Sequence, residues 1–283
     1  MSRVAVVTDS IACLPAELVK EYGIRIIPLT LSIDGKAYKD QIDISADEFW
    51  KLFPFIKRFS TSAPTVDDFQ AIFREVAEDT DSLACAVVSK ALSATYQVAL
   101  QAREAMKKEN PGLNIEVVDT KIAVGGQGFV ALEAARAARA GKSLAEVISV
   151  MENTIGKVKS IACLDTLRYL IRSGRAPKTA YVADLLDIKA IIGMVRGTGL
   201  VNSLGRARGK NKCAQRLVEM VGELTDITKP LHVMVHYTDK IEDGKRLMEA
   251  VKSKYNCAEI YLTPYSILTS GHSGPLVSIS FFS

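Results

Sequence analysis

The first half of the chain alternates between two spacings of apolar residues. RVAVVTDS (3–10) is a short apolar run closing on polar residues, LPAELVKEYG (14–23) has helical spacing, and IRIIPLTLSI (24–33) returns to strand character. Each change falls at Gly, Pro or Asp, residues that interrupt regular structure. Ser45 with Glu48, and Thr65 with Asp68, have the spacing at which a side chain satisfies free N–H groups at a helix start. They predict helices through DEFWKLF (47–53) and DDFQAIFREVA (67–77). SLACAVVS (82–89) then leads into LSATYQVALQAREAMKK (92–108), and NIEVVDT (114–120) into GFVALEAARAARAG (128–141). This succession predicts a mostly parallel sheet with helical connections, forming a first domain over residues 1–155.

Residues 156–283 change character. After IACLD (161–165) and TLRYLIRSG (166–174), the stretch GMVRGTGLVNSLGRARGKNK (193–212) mixes strand-like runs with glycines. PLHVMVHYT (230–238), the helical GKRLMEAVKSKY (244–255), AEIYLTPYS (258–266) and LVSISFF (276–282) complete a second α/β domain with a mixed sheet.

At 283 residues, 48% hydrophobic and 24% charged, the chain can bury ordinary cores without metal or disulfide staples. No apolar run approaches the roughly eighteen residues of a membrane span. MSRVAVVTDS has neither the length nor the cleavage site of a secretory leader, so a cytoplasmic protein is expected. The five cysteines (Cys13, Cys85, Cys163, Cys213, Cys257) form no C-x-x-C pair and read as small buried hydrophobes, without a disulfide framework or metal site. Net charge is +4, and although Arg206, Arg208, Lys210 and Lys212 cluster, no aromatics interleave with them, which argues against nucleic acid as a partner. G-x-S-x-G, dinucleotide and Walker-type patterns are absent, so no cofactor is implied.

The remaining polar groups cluster at element ends. Thr8, Asp9 and Ser10 close the first strand, where open α/β sheets place ligands, although Asp9 or Ser10 could equally cap the following helix. Ser89, Ser93, Ala94 and Thr95 follow a strand and open a long helix, whose free N–H groups and partial positive charge suit a carboxylate or phosphate. Thr61 and Ser62 add a third hydroxyl cluster. His272, flanked by glycines in SGHSGP between two strand-like segments, is either structural or a ligand contact. His232 and His236 share a strand face without a third metal ligand and read as structural. Arg172 and Arg175 either neutralise an acidic ligand or solvate a helix end. Any small anionic ligand fits this much.

TDSIACLP (8–15), TSAP (61–64), SKALSATYQ (89–97), VVDT (117–120), LRYLIRSGRA (167–176) and HSGP (272–275) together resemble the DegV family in order and spacing across nearly the whole chain. The resemblance implies a two-domain DegV-like α/β fold, with an N-terminal, mostly parallel three-layer αβα domain (1–155), a C-terminal mixed-sheet domain (156–283) and the ligand between them. It is similar to the fatty-acid-binding subunit of bacterial fatty acid kinase, which implies a non-catalytic protein presenting a long-chain fatty acid to a separate ATP-dependent catalytic subunit. Carried over by motif, Thr61, Ser62 and Ser93 would contact the carboxylate, helped by the backbone at Ala94 and Thr95 and supported by His272 and Arg175. Arg206 and Arg208 would face the kinase. Ala94 stands where the pattern has glycine, RSGR carries one glycine where GGR is usual, and Leu276 follows HSGP where glycine is common. The rival readings are a module for another anionic small molecule and a Ser-dependent hydrolase built on Ser93 or Ser273.

Overall fold

The computed structural model describes residues 4–173, 187–194 and 197–283. The chain divides into two compact units. Unit 1 comprises Met1–Thr30, Thr61–Lys157 and Arg196–Leu200, and unit 2 comprises Leu31–Ser60, Val158–Val195 and Val201–Ser283. One junction, Lys157/Val158, lies close to the cut expected after residue 155, but residues 31–60 belong with unit 2. The stretch that looks like one strand, IRIIPLTLSI, is interrupted at Pro28, which has no N–H to give a sheet ladder. Its halves become β2 (Arg25–Ile27) and β3 (Thr30–Ile33), which join different sheets.

Unit 1 is built on a four-stranded parallel sheet in the order β2-β1-β6-β7, with β1 at Val4–Asp9, β6 at Ser82–Val87 and β7 at Asn114–Asp119. Its helices are α1 (Ala16–Tyr22), α3 (Val66–Ala77), α4 (Thr95–Glu109), α5 (Val124–Arg139) and α6 (Leu144–Lys157). Every residue of β6 is buried, which explains its near-continuous apolar sequence. Phe69, Phe73, Ala99, Ala102 and Met106 of α3 and α4 pack with Val7, Leu83, Cys85 and Val87. The register sets Thr8 beside Ala86 and Ala86 beside Val118, so three strands end along one edge. Gly128 in α5 packs tightly there, because a Cβ would lie 2.5 Å from the Ala12 carbonyl oxygen.

The expected cap at Thr65 is present: its hydroxyl accepts from the Asp68 N–H (3.1 Å) and its own N–H donates to the Asp68 carboxylate (2.8 Å). Ser45 and Glu48 do the same at α2 (Ala46–Leu52) in unit 2. A third such pair, Ser143 and Glu146, opens α6 and has the same S-x-x-E spacing.

Unit 2 holds a three-stranded sheet in the order β4-β3-β5, with β4 at Lys36–Lys39 and β5 at Phe59–Ser62, where β5 runs to the junction with unit 1. It also holds a six-stranded mixed sheet in the order β10-β9-β8-β13-β11-β12. These strands are β8 (Lys159–Leu164), β9 (Ile188–Met194), β10 (Asn202–Arg208), β11 (Leu231–Tyr237), β12 (Cys257–Pro264) and β13 (Leu276–Phe282). Only β11 and β12 run parallel among its pairs. The helices are α7 (Arg168–Arg172), α8 (Lys210–Leu224), α9 (Ile241–Lys254) and α10 (Ile267–Ser273). Leu217 and Val221 of α8 and Leu247 and Val251 of α9 pack with Ile161, Val233, Val235, Ile279 and Phe281 on one sheet face.

Two sequence expectations need correction in unit 2. The basic stretch after Gly209 opens helix α8, whose apolar positions Cys213, Leu217, Val218 and Val221 are buried. The cysteines are not all unpaired hydrophobes: Cys163 on β8 and Cys213 on α8 form a disulfide with 6.1 Å between Cα atoms. Cys13 and Cys85 are buried free thiols, and Cys257 is half-buried.

Candidate ligand-binding site

Thr8, Asp9 and Ser10 close β1 and are all buried. The Thr8 hydroxyl donates to the Ala86 carbonyl (2.7 Å) and accepts from Gln127 Nε2 (3.1 Å). The Asp9 carboxylate accepts from the N–H groups of Ile11 (3.0 Å) and Val88 (2.8 Å), and Ser10 Oγ accepts from Leu29 N–H (3.2 Å). Burial pushes the Asp9 pKa up to about 6, outweighing the hydrogen bonds from Val88, Gln127 and Ile11 that favour the charged form. These three side chains are engaged inside unit 1, in the bonding pattern of a cap and of strand-end clasps. From there they support the loop that follows β6.

That loop carries the hydroxyl cluster. Ser89 N–H donates to Ile122 O (3.0 Å), while its hydroxyl donates to Gly199 O (2.8 Å) and accepts from Ala91 N–H (3.2 Å). Ser93 N–H returns to Ser89 O (3.2 Å), closing the turn. The Ser93 and Thr95 hydroxyls are 2.8 Å apart, and Ser93 Oγ accepts from Thr95 N–H (3.3 Å). Ser93 is half-buried, Ala94 exposed and Thr95 buried. Thr95 is the first residue of the fifteen-residue helix α4, so both hydroxyls stand in the positive end of a long helix dipole. Ala94 has φ −72° and ψ −2°, which any L-residue adopts, so this backbone does not require the glycine of the family pattern.

Sequence reasoning does not single out Lys90, Asp119 and Thr120, although VVDT (117–120) contains two of them. Asp119 at the end of β7 accepts from the N–H groups of Lys90 (3.1 Å) and Lys121 (3.0 Å) and sits 3.8 Å from the Lys90 ammonium. The Thr120 hydroxyl donates to Val87 O (2.8 Å). The parallel sheet thus presents one edge on which Asp9, Ser89, Ser93, Thr95 and Asp119 form a connected set.

The other candidates stand on other elements. Thr61 and Ser62 are exposed at the end of β5. His272 lies in the last turn of helix α10, not in a turn between strands as its flanking glycines suggest. Its ring meets Phe59 edge-on with centroids 5.0 Å apart. A Cβ on the neighbouring Gly271 would lie 2.1 Å from atoms of that Phe59 ring, so the close approach needs glycine. Arg206 and Arg208 are exposed on β10, an edge strand, and alternate with the half-buried Ala207. Charged residues there also discourage edge-to-edge pairing. Arg172 packs its guanidinium over the Tyr169 ring, 5.6 Å from its centroid. Arg175 lies outside the described residues.

A separate cleft of about 420 Å³ in unit 2 is lined by residues of α8, α9, β8 and β13, including Asp165, Lys210, Asp243 and Arg246. Lys210 pairs with both Asp165 and Asp243 across its rim. Burial raises the Asp165 pKa despite the lysines facing it. None of the candidate ligand residues lines this cleft, and its Asp165, Lys210, Asp243 and Arg246 are paired with one another, so size alone does not make it the site. No helix among the described residues is long and apolar enough to cross a membrane.

Three comparisons bear on this arrangement. The family model described as "Uncharacterised protein, DegV family" matches residues 3–283. A DegV domain-containing protein of Caldanaerobacter subterraneus is 30% identical over 283 residues, covering 100% of this chain and 99% of that protein. Among solved structures, a DegV family protein of Thermus thermophilus described as fatty-acid-binding superposes with a TM-score of 0.88 at 28% identity, covering 99% of each chain. DegV of Bacillus subtilis, described as a fatty acid binding protein, superposes with a TM-score of 0.86 at 25% identity over 100% of both chains. The mixed α/β fold of two units, one on a parallel sheet and one on a mixed sheet, is therefore shared with solved DegV structures, and the chain belongs to the DegV family.

Proposed function

We propose that this protein binds a long-chain fatty acid and presents its carboxylate to a separate ATP-dependent kinase that forms the acyl phosphate. The observation that carries the reading is the Ser93–Thr95 hydroxyl pair in the opening turn of α4, within a family whose solved members from Thermus thermophilus and Bacillus subtilis are described as fatty-acid-binding. Hydroxyls and helix-start N–H groups can replace the water that a carboxylate loses on binding, and the dipole adds about 0.3–1 kcal/mol. In this reading Thr61, Ser62 and Ser93 hold the head group, with the buried Thr95 hydroxyl bonded behind Ser93. The backbone at Ala94 helps, while His272 and Arg175 support the network. Thr8, Asp9 and Ser10 fix the loop beneath it, and Arg206 and Arg208 meet the kinase.

The acyl tail supplies affinity. About sixteen carbons at roughly 0.8 kcal/mol per methylene give on the order of 10 kcal/mol before binding costs are subtracted. Among the described residues Ser93 is bonded to Thr95, not to a histidine or carboxylate that could activate it as a nucleophile, which favours binding over hydrolysis. Ser93→Ala tests the assignment by fatty acid titration. The expected result is an affinity about tenfold weaker in a protein that still folds, with only the modest loss of thermal stability, about 1 kcal/mol, that follows from losing the bonds to Thr95. Unaltered affinity contradicts the role given to Ser93.

A further inference from the structure

The face of the six-stranded sheet turned away from α8 and α9 has an unusual centre. Val233, Val235, Ile279 and Phe281 pack with those helices, so by strand alternation Met234, His236, Ser278 and Ser280 point to the opposite side. The register sets Ser278 beside Ala162 and Ser280 beside Ser160, a block of four small side chains on the two central strands. Larger residues flank it: His236 and Met234 on β11, Ile192 and Met194 on β9. The two central strands thus carry a shallow trough of small side chains between larger flanks, and Ala162 at one end of it packs with Leu167, Leu170 and Tyr265. Ser160, Ala162, Ser278, Ser280, Met234 and His236 are all buried.

Two polar atoms in this trough have no hydrogen-bond partner among the described residues: Nε2 of His236 and Oγ of Ser278. They sit on directly paired residues of adjacent strands, on the same face of the sheet, where the Tyr265 ring meets His236 edge-on with centroids 6.0 Å apart. The neighbouring hydroxyls of Ser160 and Ser280 satisfy each other at 2.8 Å, and Nδ1 of His236 is bonded to the Thr263 hydroxyl at 2.7 Å. Buried polar atoms are nearly always paired, so an unpaired couple in register points to a missing partner. That partner is neutral. Burial holds the imidazole uncharged, with its pKa lowered to about 3, and a carboxylate placed here would lack a counter-charge. A hydroxyl oxygen, which both donates and accepts, satisfies the two atoms together in either histidine tautomer.

We propose that His236 and Ser278 form a binding site for a neutral oxygen, supplied by a hydroxyl carried part-way along a bound acyl chain. The proposal rests on the fatty-acid reading and names the ligand class within it: a hydroxylated long-chain acid. Water is the other source of the same chemistry, and the two differ in their effect on binding. The test is titration of delipidated protein with stearic acid and with a series of positional hydroxystearic acids, for wild type and Ser278→Ala. That substitution removes an unpaired hydroxyl without opening a cavity.

The expected result is that at least one positional isomer binds wild type about tenfold more tightly than stearic acid. Ser278→Ala abolishes that preference and leaves stearic acid within about twofold. A site reserved for water makes every isomer bind no better than stearic acid, and that outcome overturns the proposal, as does a preference that survives Ser278→Ala. Binding of neither acid overturns the fatty-acid reading itself, and this proposal with it.

Discussion

Asp9 stands at a strand end where a cap and a ligand contact are both readable, and its carboxylate is engaged by backbone N–H groups. Its two backbone hydrogen bonds join the start of the turn after β1 to the end of β6, and the loop carrying Ser93 begins one residue beyond Val88. The same burial gives it a pH signature. With a folded pKa of about 6 against an ordinary 3.8, Asp9 holds its proton more tightly when folded. Its contribution to stability is therefore complete below the unfolded value and is lost as pH rises through the folded one. A shift of this size corresponds to on the order of 2–3 kcal/mol. Exposed carboxylates held low by partners, such as Glu48, slope the other way, so the comparison must be with a variant. In urea unfolding between pH 4 and pH 7, wild type should lose on the order of 2–3 kcal/mol relative to Asp9→Asn. Parallel pH profiles for the two proteins would contradict the assignment. Which role Asp9 plays was not legible from TDS alone, because caps and ligand contacts use the same residue types at the same strand ends.

At the scale of elements, local patterns are readable and long-range pairings are not. Ser45 and Thr65 cap their helices as their spacing predicts, because a cap needs only residues four positions apart or nearer. Helix α8 is obscured by the glycines and basic residues before it, although Cys213, Leu217, Val218 and Val221 repeat at helical spacing. The Cys163–Cys213 bond joins a strand and a helix 50 residues apart, a separation at which spacing carries no information. The bond gives a countable prediction. Protein unfolded without reductant should show three reactive thiols, from Cys13, Cys85 and Cys257, and five after reduction. Closing a long loop in this way adds about 2–4 kcal/mol, so reduction should also lower the unfolding midpoint. Five thiols before reduction would rule the bond out.

For the whole molecule, the succession of strands and helices in residues 1–155 announces a parallel sheet, and the motifs spread from TDSIACLP to HSGP identify the family. The interleaving of residues 31–60 with unit 2 was hidden, since the chain leaves the parallel sheet at Pro28 without any change of composition. Also hidden was the trough around Ser278, which exists only once β8, β11 and β13 are set in register. In the function proposed above, hydroxyls at the start of a helix orient a head group, and apolar contact with the tail supplies the affinity. The most direct measurement is mass spectrometry of an organic extract of the purified protein. The account predicts long-chain fatty acid at close to one equivalent per chain. An extract without fatty acid, from protein that also takes up none when it is supplied, would contradict it.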